Sequence, residues 1–331
     1  MPSSNPALVV ENLTVEYQVK TRSGRRAGIA RAVDNVSLTI DSGETLAIVG
    51  ESGSGKSSIA NAIMRLVEVS AGRIVLDGQD LAQLDGRELR AVRRNFQMIF
   101  QDPFESLDPR RTVLDTVMES LVVAGRGSDV MEQRALALTA LENVGLTPAE
   151  RVGQRFTYQL SGGQRQRVAI AAAMILKPRL LVADEPVSML DVSLRAGILR
   201  LMQQMSEQFG VATLFVTHDL SLAWMYADRI AVVYLGRIIE EAPSADLIRM
   251  PKHPYTQALV SVIPVPQVVS REKRIVLTGE IPNPTDIPSG CRFRPRCPKF
   301  RELGEPEACL KHDPELKSIG NHHVACHFAG E

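Results

Sequence analysis

Neither sign of charge dominates this 331-residue chain: 38 lysines and arginines face 38 aspartates and glutamates. No global field draws it toward a polyanion, so a nucleic-acid partner is not expected. It lacks any apolar run near the roughly 18 residues that suggest a membrane span. The longest candidate, around Val168 to Leu176, is short, alanine-rich and stopped by Lys177-Pro178. The opening Met1-Pro2-Ser3-Ser4-Asn5 has neither a charged n-region nor an apolar h-region, so no secretory signal is expected. The expected location is therefore cytoplasmic, with any membrane link made through a partner. Long-period repeats and coiled-coil heptads are missing as well. Cysteine is scarce, and all four residues, Cys291, Cys297, Cys309 and Cys326, fall in the last 41 positions. With 44% apolar residues the chain can build a large core without disulfides, which a reducing compartment would break. Their clustering points instead to a local site.

What is present has the order of an α/β protein. Leu8 to Val19 and Ala32 to Ile40 alternate apolar and polar residues, as half-buried strands do. The basic loop Lys20-Thr21-Arg22-Ser23-Gly24-Arg25-Arg26, with Arg31, reads as a solvated hairpin tip rather than a lipid or partner contact. Glu44 to Val49 is a short apolar run, as in a buried parallel strand. Beyond Lys56, apolar residues recur at helical spacing. From about Pro103 to Ile170 the pattern is helical, with helices predicted over Thr112 to Val123 and Met131 to Val144. Strand patterns return at Leu180 to Ala183, Val211 to Val216 and Arg229 to Tyr234, alternating with helical segments. Such alternation predicts a parallel sheet with covering helices. Past Leu259 prolines thicken (Pro264, Pro266, Pro282, Pro284, Pro288, Pro295, Pro298), which predicts a linker and a small loop-rich appendage.

The chemistry concentrates at the ends of these strands. Gly50-Glu51-Ser52-Gly53-Ser54-Gly55-Lys56-Ser57 is a complete phosphate loop between a predicted strand and helix. Glycines let successive N–H groups point inward, and the following helix adds its positive N-terminal end. In this loop Lys56 reaches the β- and γ-phosphates of a nucleotide and the Ser57 hydroxyl ligates Mg²⁺; Gly50, Ser52, Gly53, Gly55 and Ser58 complete the candidate cradle. Leu180-Leu181-Val182-Ala183-Asp184-Glu185 is an apolar strand ending in two carboxylates. Asp184 is expected to hold Mg²⁺ at the sheet edge where open α/β sheets bind ligands, and Glu185 to polarise the attacking water. His218, after another apolar strand, is expected to contact the γ-phosphate and hold Glu185 and the water in line. Gln101 stands where the sheet pattern gives way to the helical insertion, and its amide can touch Mg²⁺ and water. Leu160-Ser161-Gly162-Gly163-Gln164 precedes a segment, Arg165 to Leu176, that reads as a helix; its N–H groups and the Ser161 hydroxyl make a second anion site. Two chains head-to-tail can each cover the other's nucleotide with such a tip.

Phosphate loop, glutamine, signature Leu160 to Gln164, carboxylate strand, Ser188-Met189-Leu190-Asp191 and His218 follow one another in the order that resembles the ABC-type ATPases, over roughly residues 8 to 250. The resemblance implies a P-loop NTPase core of ABC type, an N-terminal antiparallel β subdomain and a helical signature subdomain over about 103–170. It also implies ATP and Mg²⁺ as cofactors. Tyr17 resembles the aromatic that stacks on adenine, although a strand-surface residue would look the same. Asp191 resembles the acid that couples two sites across a dimer, and Met189 departs from the small residue usual in the family.

His253-Pro254-Tyr255-Thr256-Gln257-Ala258-Leu259 and Gly290-Cys291-Arg292-Phe293-Arg294-Pro295-Arg296-Cys297-Pro298 resemble the tail of the oligopeptide/dipeptide importer ATPases. That implies an ATPase domain over 1–260 and a small cysteine-bearing domain over 261–331. It implies peptide import at the cytoplasmic face of the membrane, with nickel, glutathione or oligosaccharide as other cargoes of similar proteins. The implied partners are a related second ATPase subunit (a homodimer being the alternative), two membrane permeases and, indirectly, an extracytoplasmic binding protein. An exporter ATPase shares the engine without the tail, and a soluble DNA- or ribosome-acting ATPase would need features this chain lacks. The cysteine spacing has no close Cys-x-x-Cys pair of a zinc ribbon. It suits a [4Fe–4S] cluster, which some relatives bind, while His322, His323 and His327 keep zinc open and reduced packing cysteines remain the third reading.

Overall fold

The computed structural model describes residues 6–20, 26–102, 106–127, 129–263 and 274–330. Residues 21–25 of the basic loop, the N-terminal pentapeptide, Pro103, Pro264 and Pro266 lie outside the described residues. The chain gathers into two compact units, one from residues 1–9, 39–44 and 74–215, the other from 10–38, 45–73 and 216–331.

In the first unit, β6 (Phe96–Ile99) and β7 (Leu180–Asp184) pair in parallel, Phe96 opposite Leu180 and Ile99 opposite Ala183. The start of β8 (Ala212–Thr217) continues this edge beside β7. All five residues of β7 are buried, as expected of a strand covered on both faces. The predicted helical insertion forms as α3 (Val113–Val123), α4 (Val130–Asn143) and α5 (Ala149–Gly153), packed with α6 (Gly162–Met174). Val113, Leu114, Val117 and Leu121 give α3 one apolar stripe. Thr112 Oγ1 accepts from the Asp115 N–H at 3.1 Å and Asp129 Oδ1 from the Glu132 N–H at 2.9 Å, capping α3 and α4. α7 (Val192–Phe209) ends on Gly210, whose φ of 63° is the left-handed conformation that closes a helix.

In the second unit, β3 (Thr45–Val49) runs parallel to β9 (Arg229–Tyr234), with Val49 opposite Val232. β10 (Arg237–Pro243) folds back antiparallel on β9, and the tail then adds β12 (His322–Val324) and β11 (Lys317–Ile319), giving the order β11-β12-β10-β9-β3. α1 (Lys56–Ile63) follows β3. β1 (Leu8–Lys20) and β2 (Arg26–Ile40) form where alternation predicts strands and pair in the antiparallel subdomain that the family resemblance implies; β2 starts earlier than Ala32, so Arg26 and Arg31 belong to it and not to the basic loop.

The appendage predicted as loop-rich carries more order than its prolines suggest. Besides two strands it has short helices at Pro298–Glu302 and Glu307–Lys311. Its strands are three residues long, too short for alternation to register. β10 escaped notice for another reason. Its Glu240-Glu241 pair looks exposed, yet Glu240 is fully buried, accepting from the Lys252 and His253 N–H groups at 2.8 Å and meeting His322 Nδ1 at 2.8 Å. A buried carboxylate needs such a set of partners.

Arg292 ties the tail to the rest of this unit. Its side chain, 6% exposed, donates to Asp34 at 2.8 Å, to Asp313 at 2.8 and 3.0 Å, and to the Leu235 carbonyl at 2.6 Å. Burial pushes the Asp34 carboxyl up, but the hydrogen bond and charge of Arg292, with Arg31 beside it, hold it below its ordinary 3.8. A depressed carboxyl stabilises the fold above its unfolded pKa and loses that contribution as pH falls through the folded value. Arg292→Ala is expected to cost about 3 kcal/mol at pH 7 in urea unfolding. The difference from wild type should shrink below about pH 3.8; a pH-independent loss would contradict the ion-pair account.

Candidate nucleotide site

The phosphate loop lies in the second unit, between β3 and α1, and its shape depends on two missing side chains. A Cβ on Gly50 would overlap the Val233 carbonyl oxygen and come within 2.8 Å of Ser54 Oγ. A Cβ on Gly55 would overlap the Ala32 carbonyl oxygen, and its φ of 106° is one that L side chains rarely adopt. The turn after β9 braces the loop, with Gly236 N–H donating to the Ser54 carbonyl at 2.8 Å and Asp34 N–H to the Gly236 carbonyl at 2.9 Å. Lys56, 6% exposed, folds its ammonium back to donate to the Gly50 and Glu51 carbonyls, each at 2.8 Å. That sets a positive charge beside the first turn of α1, where N–H groups and the helix dipole also favour an anion. Ser52, Gly53 and Ser57 are exposed and Ser58 half-buried. Tyr17, 38% exposed on β1, places its hydroxyl 3.4 Å from Ser58 Oγ, so an aromatic stands at this loop. His218 is exposed just after β8, and Asp219 beside it caps the next helix through the Ser221 N–H at 2.9 Å.

The first unit carries the acids and the signature. β7 ends in buried Asp184, and Glu185 follows with φ of 47°, a turn that takes its carboxylate off the strand line. Gln101 Nε2 donates to Glu185 Oε2 at 3.1 Å, bringing together two side chains predicted to act on one water. Ser188 Oγ donates to the Glu185 carbonyl at 3.0 Å, and Arg195 holds the Leu190 carbonyl at 3.0 Å. Asp191 precedes α7 with its side chain exposed; Met189 is exposed too, so the family departure lies at the surface.

Sequence patterning set the signature helix too late. α6 begins at Gly162, so Gly162, Gly163 and Gln164 form its first turn instead of a loop before Arg165. Ser161 caps it: the Gln164 N–H donates to Ser161 Oγ at 3.4 Å, and the Ser161 N–H to Gln164 Oε1 at 3.1 Å. Gly163 is constrained by packing, since an added Cβ would lie 3.2 Å from Leu194 Cδ1. Ser161 is exposed at this end, Gly162 and Gln164 are half-buried and Gly163 is buried; a helix N-terminus favours an anion.

The four thiols line one cavity of about 20 Å³ with His253 and Phe293, room for a single water-sized body. Burial pushes the Cys291 thiol up to about 12, and raises Cys297 and Cys309 as well. Thiols are the residue type that metal clusters take, but among the described residues no three His, Cys, Asp or Glu side chains gather as ligands. Three residues that shape the phosphate loop were given no role from the sequence: Glu51 within it, and Tyr255 and Arg296, which bond to Glu51. Arg296 sits in a segment that stood out for its cysteines and its family resemblance, not for this residue.

Lysine-bearing glycine loop, carboxylate strand with its glutamine, and glycine-started signature helix define an ATPase of the cassette class. Residues 33–188 match the family described as ABC transporter, and residues 239–302 the one described as the oligopeptide/dipeptide transporter C-terminal region. A Brucella ovis protein named for peptide import and ATP binding is 44% identical over 325 residues, covering 98% of each chain. The oligopeptide transport ATP-binding protein AppF of Bacillus subtilis is 42% identical over 336 residues, covering 99% of each. The dimeric ATP-binding cassette MJ0796, solved after hydrolysis with ADP and Pi, superposes with a TM-score of 0.64 at 33% identity, over 72% of this chain and 98% of that one. The chain belongs to the ABC transporter family and is an ATPase of the type whose C-terminal region marks the oligopeptide/dipeptide branch.

Gly55→Ala should abolish nucleotide binding and cost about 2–3 kcal/mol in urea unfolding, through overpacking. Gly53→Ala meets no atom within 4 Å and should cost only about 1 kcal/mol, from its left-handed backbone. Equal losses at the two positions would contradict the close-approach account.

Proposed function

We propose that this chain is the ATP-hydrolysing subunit of a peptide importer, acting as a peripheral protein on the cytoplasmic face of the membrane. The observation that carries the reading is the match to AppF along 99% of both chains, cysteine-bearing tail included. Among the described residues no helix is long and apolar enough to cross a membrane, in keeping with permease subunits that supply the channel. In this reading residues 1–260 form the engine and 261–331 the branch-specific domain.

Two ATP–Mg²⁺ are held between facing ATPase subunits, this chain and a related second one. In this reading Lys56 would bind the β- and γ-phosphates, and Ser57, Asp184 and Gln101 would supply the ligands for Mg²⁺. Glu185 orients the attacking water, the Gln101 amide fixes that carboxylate, and His218 contacts the γ-phosphate. Tyr17 stacks on the adenine. The facing subunit's signature, equivalent to Ser161 to Gln164 here, presents its helix N-terminus to the γ-phosphate, and Asp191 couples the two seams. Closure then needs ATP at both sites, and hydrolysis releases it.

A groove of about 590 Å³ in the first unit offers a contact for the permease. It lies against the strand leading to Gln101 and is lined by Arg87, Arg90, Arg93 and Arg94 facing the end of α3. Its acid, Glu119, is paired with Arg111. An acidic cytoplasmic loop of the permease complements such a surface. For the tail, a [4Fe–4S] cluster, zinc and reduced packing cysteines are the three readings; the water-sized cavity and the burial-raised thiols favour the last, and a cluster would need the cavity to open. Anaerobic purification with an iron assay and visible absorbance decides this, and colourless, iron-free protein removes the cluster.

Lys56→Ala should bind ATP at least tenfold more weakly, since a charge-assisted bond to phosphate is worth about 1.5–3 kcal/mol. Glu185→Gln should bind ATP normally, turn over at least 100-fold more slowly, and accumulate closed dimers on size-exclusion chromatography. Wild-type turnover in that variant would sink the assigned role. Arg90→Glu with Arg94→Glu should leave the basal ATPase rate of the free subunit intact while abolishing ATP-driven peptide uptake in vesicles; unimpaired uptake would remove the groove from the account.

A further inference from the structure

Glu51, the second residue of the phosphate loop, is held by all three of its polar groups, and two of the holders come from far along the chain. Its carboxylate accepts two parallel bonds from the Arg296 guanidinium, at 2.7 and 3.0 Å. Its N–H donates to the Tyr255 hydroxyl at 3.0 Å, and its carbonyl accepts from Lys56 Nζ at 2.8 Å. Neither distal group is free to wander. Tyr255 is fully buried, its ring 5.0 Å from Tyr234 and 5.5 Å from Phe293, and the Arg296 guanidinium lies 5.9 Å over the Tyr234 ring. Arg296 closes a single 3₁₀ turn, Arg294–Arg296, four residues after the Arg292 anchor and immediately before Cys297. Its side chain is 7% exposed, and the bond to Glu51 holds the guanidinium above its ordinary range despite that burial.

We propose that Arg296 is a positioning residue for ATP binding: through Glu51 it sets the shape of the phosphate loop, making the cysteine-bearing tail part of the nucleotide site's support. A bidentate arginine–carboxylate pair fixes orientation as well as distance, which a lysine or a neutral partner does not reproduce. A loop held in shape before the nucleotide arrives spends less binding energy on ordering. The tail thus acts on affinity without touching the phosphates. The Tyr255 bond holds the same residue through its backbone, so the loop keeps one restraint when the ion pair is removed and is expected to weaken rather than collapse.

The inference rests on reading Gly50 to Ser57 as the loop that holds ATP, and the experiment separates the two. The full-length chain is titrated with a fluorescent ATP analogue, with thermal unfolding recorded without nucleotide. Arg296→Ala and Glu51→Gln should each raise the Kd about tenfold, the double variant no further than either single, and Arg296→Lys should recover part of the loss. Normal affinity in Arg296→Ala overturns the proposal. So does weakening in Arg296→Ala with normal affinity in Glu51→Gln, since the effect would then bypass the ion pair and reflect tail folding alone. Lys56→Ala is the reference: if it binds the analogue as well as wild type, the phosphate-loop reading falls and this inference with it. If it loses binding while Arg296→Ala keeps it, only the inference falls.

Discussion

The close approach of backbone to backbone around the phosphate loop is the constraint from which the rest of the nucleotide site follows. The carbonyls of Val233 and Ala32 occupy the space that side chains on residues 50 and 55 would need. With glycine at both, the loop can be braced by the turn at Gly236 and closed by its own lysine, whose ammonium already bridges two loop carbonyls. The cradle therefore exists without its ligand. The two loop carbonyls help to offset the burial of that lysine, and a phosphate arriving there would offer it a charged acceptor.

The first unit solves a different problem. Glu185, the carboxylate proposed to orient the attacking water, is held in place by its left-handed backbone and by an amide from Gln101. The strained turn aims the side chain, and the amide restrains it. Gln101 follows the strand whose arginine-rich flank lines a groove, so one short segment joins that groove to the carboxylate proposed to act in hydrolysis. The signature helix is prepared in the same spirit: Ser161 and Gln164 satisfy each other's N–H groups, and packing of Gly163 on Leu194 fixes where the helix begins.

What could be read from the sequence was whatever is local. Phosphate loop, carboxylate strand and signature are contiguous residues whose chemistry follows from their neighbours, and strands such as Leu180–Asp184 announce themselves because the four residues before the terminal acid are all apolar. What could not be read is distant or too short. Arg296 and Glu51 stand 245 positions apart, and nothing in either segment names the other. Buried Glu240 looks like a surface acid until His322 and two N–H groups are placed around it. The three-residue tail strands carry no alternation, and the first turn of the signature helix hides behind two glycines, which weigh against helix by propensity. There the Ser161–Gln164 capping box, visible as Ser-Gly-Gly-Gln, was the signal that could have found it.

A structure of the assembled transporter trapped with ATP tests the central claim most directly. The account predicts β- and γ-phosphates within hydrogen-bond distance of the Gly53 to Ser57 N–H groups and of Lys56, with the signature helix of the facing subunit ending at the same γ-phosphate. A nucleotide seated elsewhere, or a signature helix left in solvent in every ATP-loaded assembly, would contradict it.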